Sequence, residues 1–365
     1  MDAYLTRLAD VIVRYSTEVQ PGEWVVLRGE PEGEPLLKAL YAAVLAAGGQ
    51  PSLHLNPGWA NYLLLARGND AQLEFIPPLQ EVAQTRADVI INVLAERNTR
   101  LLSNIPPDRQ QHREQATRPL FERFMERSAS GALKWCVTLF PTNAYAQDAD
   151  MSLDEYESFV YRAGLLDDPD PAARWQEISA RQQRLVEWLK GCDQVGIRGA
   201  DTDLRLSIKG RTFINASGKR NFPDGEIFTG PVEQSVEGWV RFTYPALISG
   251  REVTGIELFF EDGRVVKASA TKNESALLSL LETDPGARHV GELGIGTNPG
   301  ITGFTRNTLF DEKIQGTFHL ALGASYLDTG GQNVSAIHED LVCDLHDGEI
   351  IVDGDLLYQN GDFVV

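Results

Sequence analysis

The 365-residue sequence predicts two domains of different class: a doubly wound α/β domain over residues 1–190, closed by a bridging helix, and a β-rich, largely antiparallel (α+β) domain over residues 191–365. Three observations predict it. A chain of this length exceeds the ~250–300 residues over which a single core keeps growing, so two cores are expected. The first half alternates short apolar runs with stretches of helical period, as in a mostly parallel sheet covered on both faces. The second half shows period-two alternation broken by Asp-Gly and Asn-Gly turns, the pattern of antiparallel hairpins.

In chain order, Leu5, Leu8, Ile12 and Tyr15 form one helical stripe between Asp2 and Tyr15. Trp24–Leu27 is an apolar strand ended by Gly29 and Pro31. Leu37, Leu40, Tyr41, Val44 and Leu45 then follow the spacing of an amphipathic helix that Gly48 and Gly49 terminate. A strand at Ser52–Asn56, a helical region from Asp70 to Thr85, and strands at Val89–Leu94 and Trp135–Phe140 continue the alternation. Between the last two, arginines at 97, 100, 109, 113, 118, 123 and 127 alternate with Glu114, Glu122 and Glu126, which predicts a solvated helix face. Ser152-Leu-Asp-Glu155 is a capping box opening a helix through Tyr156, Phe159 and Val160. Asp167 to Pro171 break it, and Trp175, Ile178, Leu185 and Leu189 line the bridging helix.

Beyond it, strands are expected at Asp203–Ile208, Val240–Tyr244 and Gly255–Phe260, the last turning at Asp262-Gly263 into Val265 and Val266. A short helix is expected from Asn273 to Leu281. His346-Asp-Gly348 predicts a hairpin joining Leu341–Leu345 to Ile350–Val352, and Asn360-Gly361 marks a final turn.

The formal charge of −19 disfavours nucleic-acid binding, which rests on concentrated Lys and Arg. The part after Lys190 is the more acidic, with 14 basic against 26 acidic residues. Cys136, Cys192 and Cys343 are odd in number and far apart, which argues for reduced thiols and a cytoplasmic protein. The opening MDAYLTRLADVIVRY lacks the apolar core of a signal peptide, and no run reaches the ~20 apolar residues of a membrane span. A nucleotide site would suit the first half. However, no G-x-G-x-x-G follows the Trp24 strand and no Walker lysine motif occurs.

Chemistry concentrates between Gly291 and Asp340, where two of the six histidines, His319 and His338, stand among Glu292, Asp311, Glu312, Glu339 and Asp340. Imidazole nitrogen delivered with carboxylate oxygen suits zinc, cobalt or manganese. On an extended segment His338 and Asp340 project to one face and Glu339 to the other. Each histidine taken alone reads as an ordinary half-buried residue donating to a carbonyl; two within twenty residues, bracketed by glutamates in glycine-rich turns, bring the metal reading level with it. By the same local reading Glu226 is an edge glutamate, GIGTNPGITG from Gly294 is a surface loop, and Tyr326 is a core or interface aromatic.

The strings PTNAYAQDADMSLDEYESFV from Pro141, GEIFTGPVEQSVEGWVRF from Gly225, GELGIGTNP from Gly291, LFDEKIQGTFHLALGASY from Leu309 and SAIHEDLVCDL from Ser335 resemble the M29 metallo-aminopeptidases, the thermophilic aminopeptidase T type. The resemblance implies a homodimeric exopeptidase holding two divalent metal ions, with ligands Glu226, Glu292, His319, Tyr326, His338 and Asp340. It implies hydrolysis of the first peptide bond of peptides with a free N-terminus by a metal-bound hydroxide. Glu312 is the expected general base, Glu292 the bridging ligand and alternate base, and Tyr326 a transition-state donor or ligand. The chain departs from the family where some members read Asp-Glu-Asn-Ala before the first histidine; here DEKIQGTF sets Glu312 two residues farther from His319, leaving it as base, as ligand or outside the site. Two other readings share the ligand set: a dinuclear dipeptidase or amidohydrolase, and a non-catalytic protein with structural metal.

Overall fold

The computed structural model describes residues 3–365, so Asp2 of the first helical stripe lies outside the described residues. These residues form two compact units, the first running up to Arg174 and taking in Gly218–Pro223, the second comprising Trp175–Ser217 and Asp224–Val365. Most of the helix Pro171–Leu189 therefore counts with the second unit, where Leu185 and Leu189 enter the core.

The first unit is a parallel five-stranded sheet in the order Gln50–Leu55, Trp24–Gly29, Val89–Leu94, Lys134–Leu139, Asn221–Phe222. Val25, Val26 and Leu27 of the Trp24 strand and Val89, Ile90 and Ile91 of the Val89 strand are buried, as the apolar runs of a covered parallel sheet are. The stripe Leu5, Leu8, Ile12 and Tyr15 is buried, and the Ser152–Glu155 capping box forms as expected.

Two helical expectations in this unit need correction. In the helix Glu34–Ala46 the buried residues are Leu36, Leu37, Ala39, Leu40 and Val44, while Tyr41 and Leu45 are exposed. The buried face therefore takes in Leu36 and Ala39 and leaves out Tyr41 and Leu45. The arginine-rich helix, Pro107–Ala129, is not simply a solvated face. Arg118 and Arg123 do pair with Glu122 and Glu126 in solvent. Arg109 instead donates to the Leu65 and Gly68 carbonyls, Arg113 to Leu73 and Phe75, and Arg127 to Gln84, Ala87 and Ala132. A guanidinium with five donors can satisfy the carbonyls at helix ends, such as Leu65, Leu73 and Gln84, and in the connections after them, and its charge strengthens each bond.

The second unit holds a two-stranded antiparallel ribbon, Ala246–Ile248 with Arg251–Val253, and two large antiparallel sheets. One has eight strands, in the order Arg264–Ser269, Glu257–Glu261, Glu237–Arg241, Thr202–Ser207, Gln194–Gly199, Glu349–Val352, Asp355–Gln359, Asp362–Phe363. The other has five, in the order His338–Asp344, Thr317–Gly323, Val290–Gly296, Glu226–Thr229, Ile214–Ala216. The turns at Asp262-Gly263 and Asn360-Gly361 close hairpins as expected. The turn at His346-Asp-Gly348 does not. It carries the chain from the His338 strand in one sheet to the Glu349 strand in the other, so a turn signature here marks a crossing between layers. One apolar core joins them, with Leu293, Ile295, Phe318, Leu320, Leu322 and Leu341 from the smaller sheet among its members.

Cys136 and Cys343 are buried, and no disulfide joins any of the three cysteines. Among the described residues no helix is long and apolar enough to cross a membrane.

Candidate metal centre

Strand register gathers the site. Residues directly opposite on antiparallel strands share a face. Glu226 lies opposite Gly296, Gly294 opposite His319, Glu292 opposite Ala321, Ala321 opposite Asp340 and Gly323 opposite His338. One face of the sheet therefore presents Glu226, Glu292, His319, His338 and Asp340, standing around a floor of Gly294, Gly296, Ala321 and Gly323. The alternate residues, Ile227, Leu293, Ile295, Phe318, Leu320, Leu322, Leu341 and Cys343, all enter the core.

The floor is small for a reason visible at two positions. A Cβ on Gly294 would lie 2.0 Å from Cε1 of His319, so the imidazole rests directly on the neighbouring backbone. On Gly296 it would lie 2.0 Å from the Ile314 carbonyl oxygen. The segment carrying Glu312 and Lys313 can thus lie across the sheet, held by Asn298 N–H donating to the Lys313 carbonyl at 3.0 Å. GIGTNPGITG is accordingly more than a surface loop: Gly294 to Gly296 end a fully buried strand and Asn298 has no exposure, while Pro299 and Thr302 beyond them reach solvent. A register shift between Val290 and Glu292 sets the Glu292 side chain on the polar face.

Buried Gln182 steadies the far edge, its Nε2 donating to the Glu226 carbonyl at 2.6 Å and the Ala216 carbonyl at 2.9 Å.

Nε2 of His319 lies 3.1 Å from Oε1 of Glu292 and 3.4 Å from Oε2 of Glu226. Nε2 of His338 lies 3.7 Å from Oε2 of Glu292 and 3.7 Å from Oδ1 of Asp340. His338 Nδ1–H donates to the Ala324 carbonyl at 2.8 Å, which leaves the Nε2 lone pair aimed at the carboxylates. Donor atoms of Glu226, Glu292 and His319, of Glu292, His338 and Asp340, and of Glu312, His319 and Asp340 each lie within 4.8 Å of one another. Glu226 and Glu292 are 5% and 4% exposed, so neither is an edge glutamate.

The three outcomes open for Glu312 reduce to two, because the extra residues before His319 leave its carboxylate inside the cluster. Tyr326 stands at the rim, 47% exposed, its ring edge-on to His338 at 5.0 Å and tilted against Phe228 at 5.6 Å. Partial burial, then Glu292, Asp340, Glu312 and Glu226, push its phenol pKa up, so the hydroxyl keeps its proton. Asp311 turns away to accept from Thr305 N–H at 2.7 Å and Thr305 Oγ1 at 2.9 Å. Glu339, by strand alternation, belongs to the other face, where burial raises its pKa to about 7.

The residues fit divalent metal. Four buried atoms here, Oε2 of Glu226, Oε2 of Glu292, Oδ1 of Asp340 and Nδ1 of His319, find no hydrogen-bond partner among the described residues. Each such orphan costs about 1–3 kcal/mol or more if charged. Burial drives the Glu226 and Asp340 carboxyls well above their usual range; Glu312 and Glu292 add to the rise, while His319, and at Glu226 first of all Lys313, oppose it without cancelling it. Burial disfavours charge on His319 too, yet its bond to Glu292 and the other carboxylates raise it to about 10. Burial alone would raise Glu312, but Lys313 and His319 hold it below the ordinary value.

Lys313 is the member that sequence reasoning missed. It is fully buried, binds the Glu312 carboxylate and lies 3.5 Å from Oε1 of Glu226. A lysine beside two acids in DEK reads as surface charge; only the chain's passage over Gly296 turns it inward.

In the first unit, by contrast, a cavity of about 920 Å³ opens at the carboxyl ends of the parallel strands, lined by Glu30, Glu32, Glu96 and Asp148 against Arg97 and Arg100. Burial, with Glu96 and Glu32, raises Glu30 to about 7. That surplus of carboxylate opposes phosphate binding at the position where a nucleotide would sit in such a sheet.

A sheet face of clustered carboxylates and imidazoles defines a protein built around divalent metal. Comparison with known proteins gives the class its chemistry, that of a metallopeptidase. The chain belongs to the M29 family of thermophilic metalloproteases, whose family model matches residues 1–363. Aminopeptidase 2 of Geobacillus stearothermophilus is 26% identical over 394 residues, covering 96% of this chain and 93% of its own. Aminopeptidase T of Thermus aquaticus is 26% identical over 399 residues, covering 97% and 96%. Wild-type AmpT from Thermus thermophilus shares the fold, with a TM-score of 0.87, 23% identity and 99% of each chain covered. The chain is a peptide hydrolase of the aminopeptidase kind.

Proposed function

We propose that this aminopeptidase works with two divalent ions, zinc, cobalt or manganese, held by Glu226, Glu292, His319, His338 and Asp340, with the second unit as catalytic domain. The observation that carries this reading is Glu292, whose two oxygens face two different imidazoles at 3.1 and 3.7 Å, as a bridging carboxylate must. When bound, such a pair supplies Lewis acidity and lowers the pKa of attacking water toward neutrality. The residues do the rest. Glu312, kept ionised and tied on one side by Lys313, accepts the proton of that water and returns it to the leaving amine. The Tyr326 phenol, at the rim with its proton retained, donates to the substrate carbonyl oxygen as charge develops there, or completes the ligand shell. The acidic walls draw in a cationic α-amine, which selects peptides with a free N-terminus.

The test is turnover of aminoacyl anilides and of N-acetylated peptides, with metal content measured on the same samples before and after chelation. We expect up to two ions per chain, loss of nearly all turnover on chelation, recovery with zinc or cobalt, and no cleavage of blocked peptides. Full turnover without metal would refute the mechanism; equal cleavage of blocked peptides would make it an amidohydrolase.

We also propose a cytoplasmic homodimer, the location resting on an odd number of widely separated cysteines. Light scattering should return about twice the chain mass of 40.3 kDa; the monomer mass over a wide concentration range would rule the dimer out.

A further inference from the structure

We infer that Lys313 is a resident cation of the centre, a positioning residue that holds Glu312 and Glu226 in place without metal and weakens the pocket's grip on its second divalent ion. The inference rests on the two-ion reading above. Its ground is geometric. The Lys313 side chain has no exposure, its Nζ binds Glu312 and lies 3.5 Å from Oε1 of Glu226, and Glu226 Oε2 in turn lies 3.4 Å from His319. The ammonium is thus within the carboxylate cluster, competing for the oxygens an ion would use.

Its backbone is fixed as well. Lys313 N–H donates to the Phe310 carbonyl at 3.0 Å and its own carbonyl accepts from Asn298 N–H at 3.0 Å. Gly296 lies below, leaving no room for the segment to sink. The ammonium itself is wholly enclosed, unlike that of a surface lysine.

The consequence follows from whole charges. Glu226, Glu292, Glu312 and Asp340 bring four negative charges to the ligating atoms, buried Asp224 adds a fifth near the ammonium, Lys313 brings one positive charge, and the imidazoles none in the ligating form. The first ion removes two negative charges from what the second meets, and Lys313 removes one more. Without the ammonium, the second ion would meet a pocket one charge more negative. In a buried pocket such a difference is felt strongly, since the effective dielectric is far below that of water.

The experiment is a cobalt titration by calorimetry of the full-length, chelator-stripped protein, comparing wild type with Lys313→Met and Lys313→Arg, alongside thermal unfolding with and without cobalt. In the wild type the second ion should bind at least roughly tenfold more weakly than the first. Lys313→Met should tighten the second step by roughly tenfold or more, melt lower than wild type without metal, and regain the difference at saturating cobalt. Lys313→Arg should follow the wild type in both measurements. A methionine variant that takes its second ion no more tightly than wild type overturns the inference. If metal-free Lys313→Met does not fold, refolding in excess cobalt should recover it; failure even then overturns the inference too, because an ion would not mend a packing defect. A wild type that binds no cobalt overturns the two-ion reading itself, and this inference with it.

Discussion

Glu292→Ala should lose both ions together and lower turnover by at least ~10³-fold, the scale on which preorganised electrostatic stabilisation of a transition state is felt. The expectation follows from the position of one carboxylate. Its oxygens face His319 at 3.1 Å and His338 at 3.7 Å, so its removal opens both halves of the cluster at once. A residue serving one half only, such as His338, should cost one ion first. The fold should survive, because the deletion takes one of four like charges out of a buried pocket and leaves the Leu293, Ile295 and Leu320 side of the sheet untouched. Elemental analysis and circular dichroism on the same preparation check both statements. Unchanged metal stoichiometry would remove Glu292 from the ligand set.

Glu312→Gln is the sharper test of mechanism. Glutamine keeps the size and a hydrogen bond but cannot take a proton at neutral pH, so turnover should fall by ~10²–10⁴ while metal stays bound. The structure makes this variant interpretable, since Glu312 lies within reach of His319 and Asp340 and is gripped by Lys313. A glutamine there can still accept from the lysine. Should Glu312 be a ligand, metal and activity will fall together, because an amide oxygen coordinates more weakly, and excess metal will restore part of the rate. Turnover and metal content measured together separate the two outcomes.

Local pattern made much of the architecture legible. Leu5, Leu8, Ile12 and Tyr15 read correctly as one face because a helix repeats its face over a few residues, and Ser152 with Glu155 read correctly as a cap because both partners lie in one turn. The misreadings came where a distant partner decides. Tyr41 and Leu45 fit a stripe that the sheet beneath did not select. His346-Asp-Gly348 has hairpin chemistry, but nothing local says which strand the next one pairs with.

The site shows the same limit. His319, His338 and Asp340 stood out by residue type and spacing, whereas Glu226 and Tyr326 became candidates only through family strings. That Glu226 reaches His319 is decided by the pairing of Glu226–Thr229 with Val290–Gly296, two strands far apart in the sequence. Lys313 and Gln182 gave no signal at all, being ordinary polar residues until a remote backbone packs against them. A glycine at alternate positions beside a glutamate, as in Glu292-Leu-Gly294-Ile-Gly296, was the clue available: on a strand it clears one whole face.

The same alternation gives the two faces of this sheet opposite rules for change. At Leu293, Ile295, Leu320 and Leu322 the damaging substitution is the one that removes bulk, because each leaves a hole in a close-packed core. At Gly294 and Gly296, one residue away in each case, a single added methyl would strike an imidazole or a carbonyl, so damage comes from gaining bulk. Tolerance to mutation should therefore reverse its direction at every step along the strand. A homologue or designed variant that keeps all five donors but fills the floor between them would retain the ligands in its sequence and lose the room in which they meet.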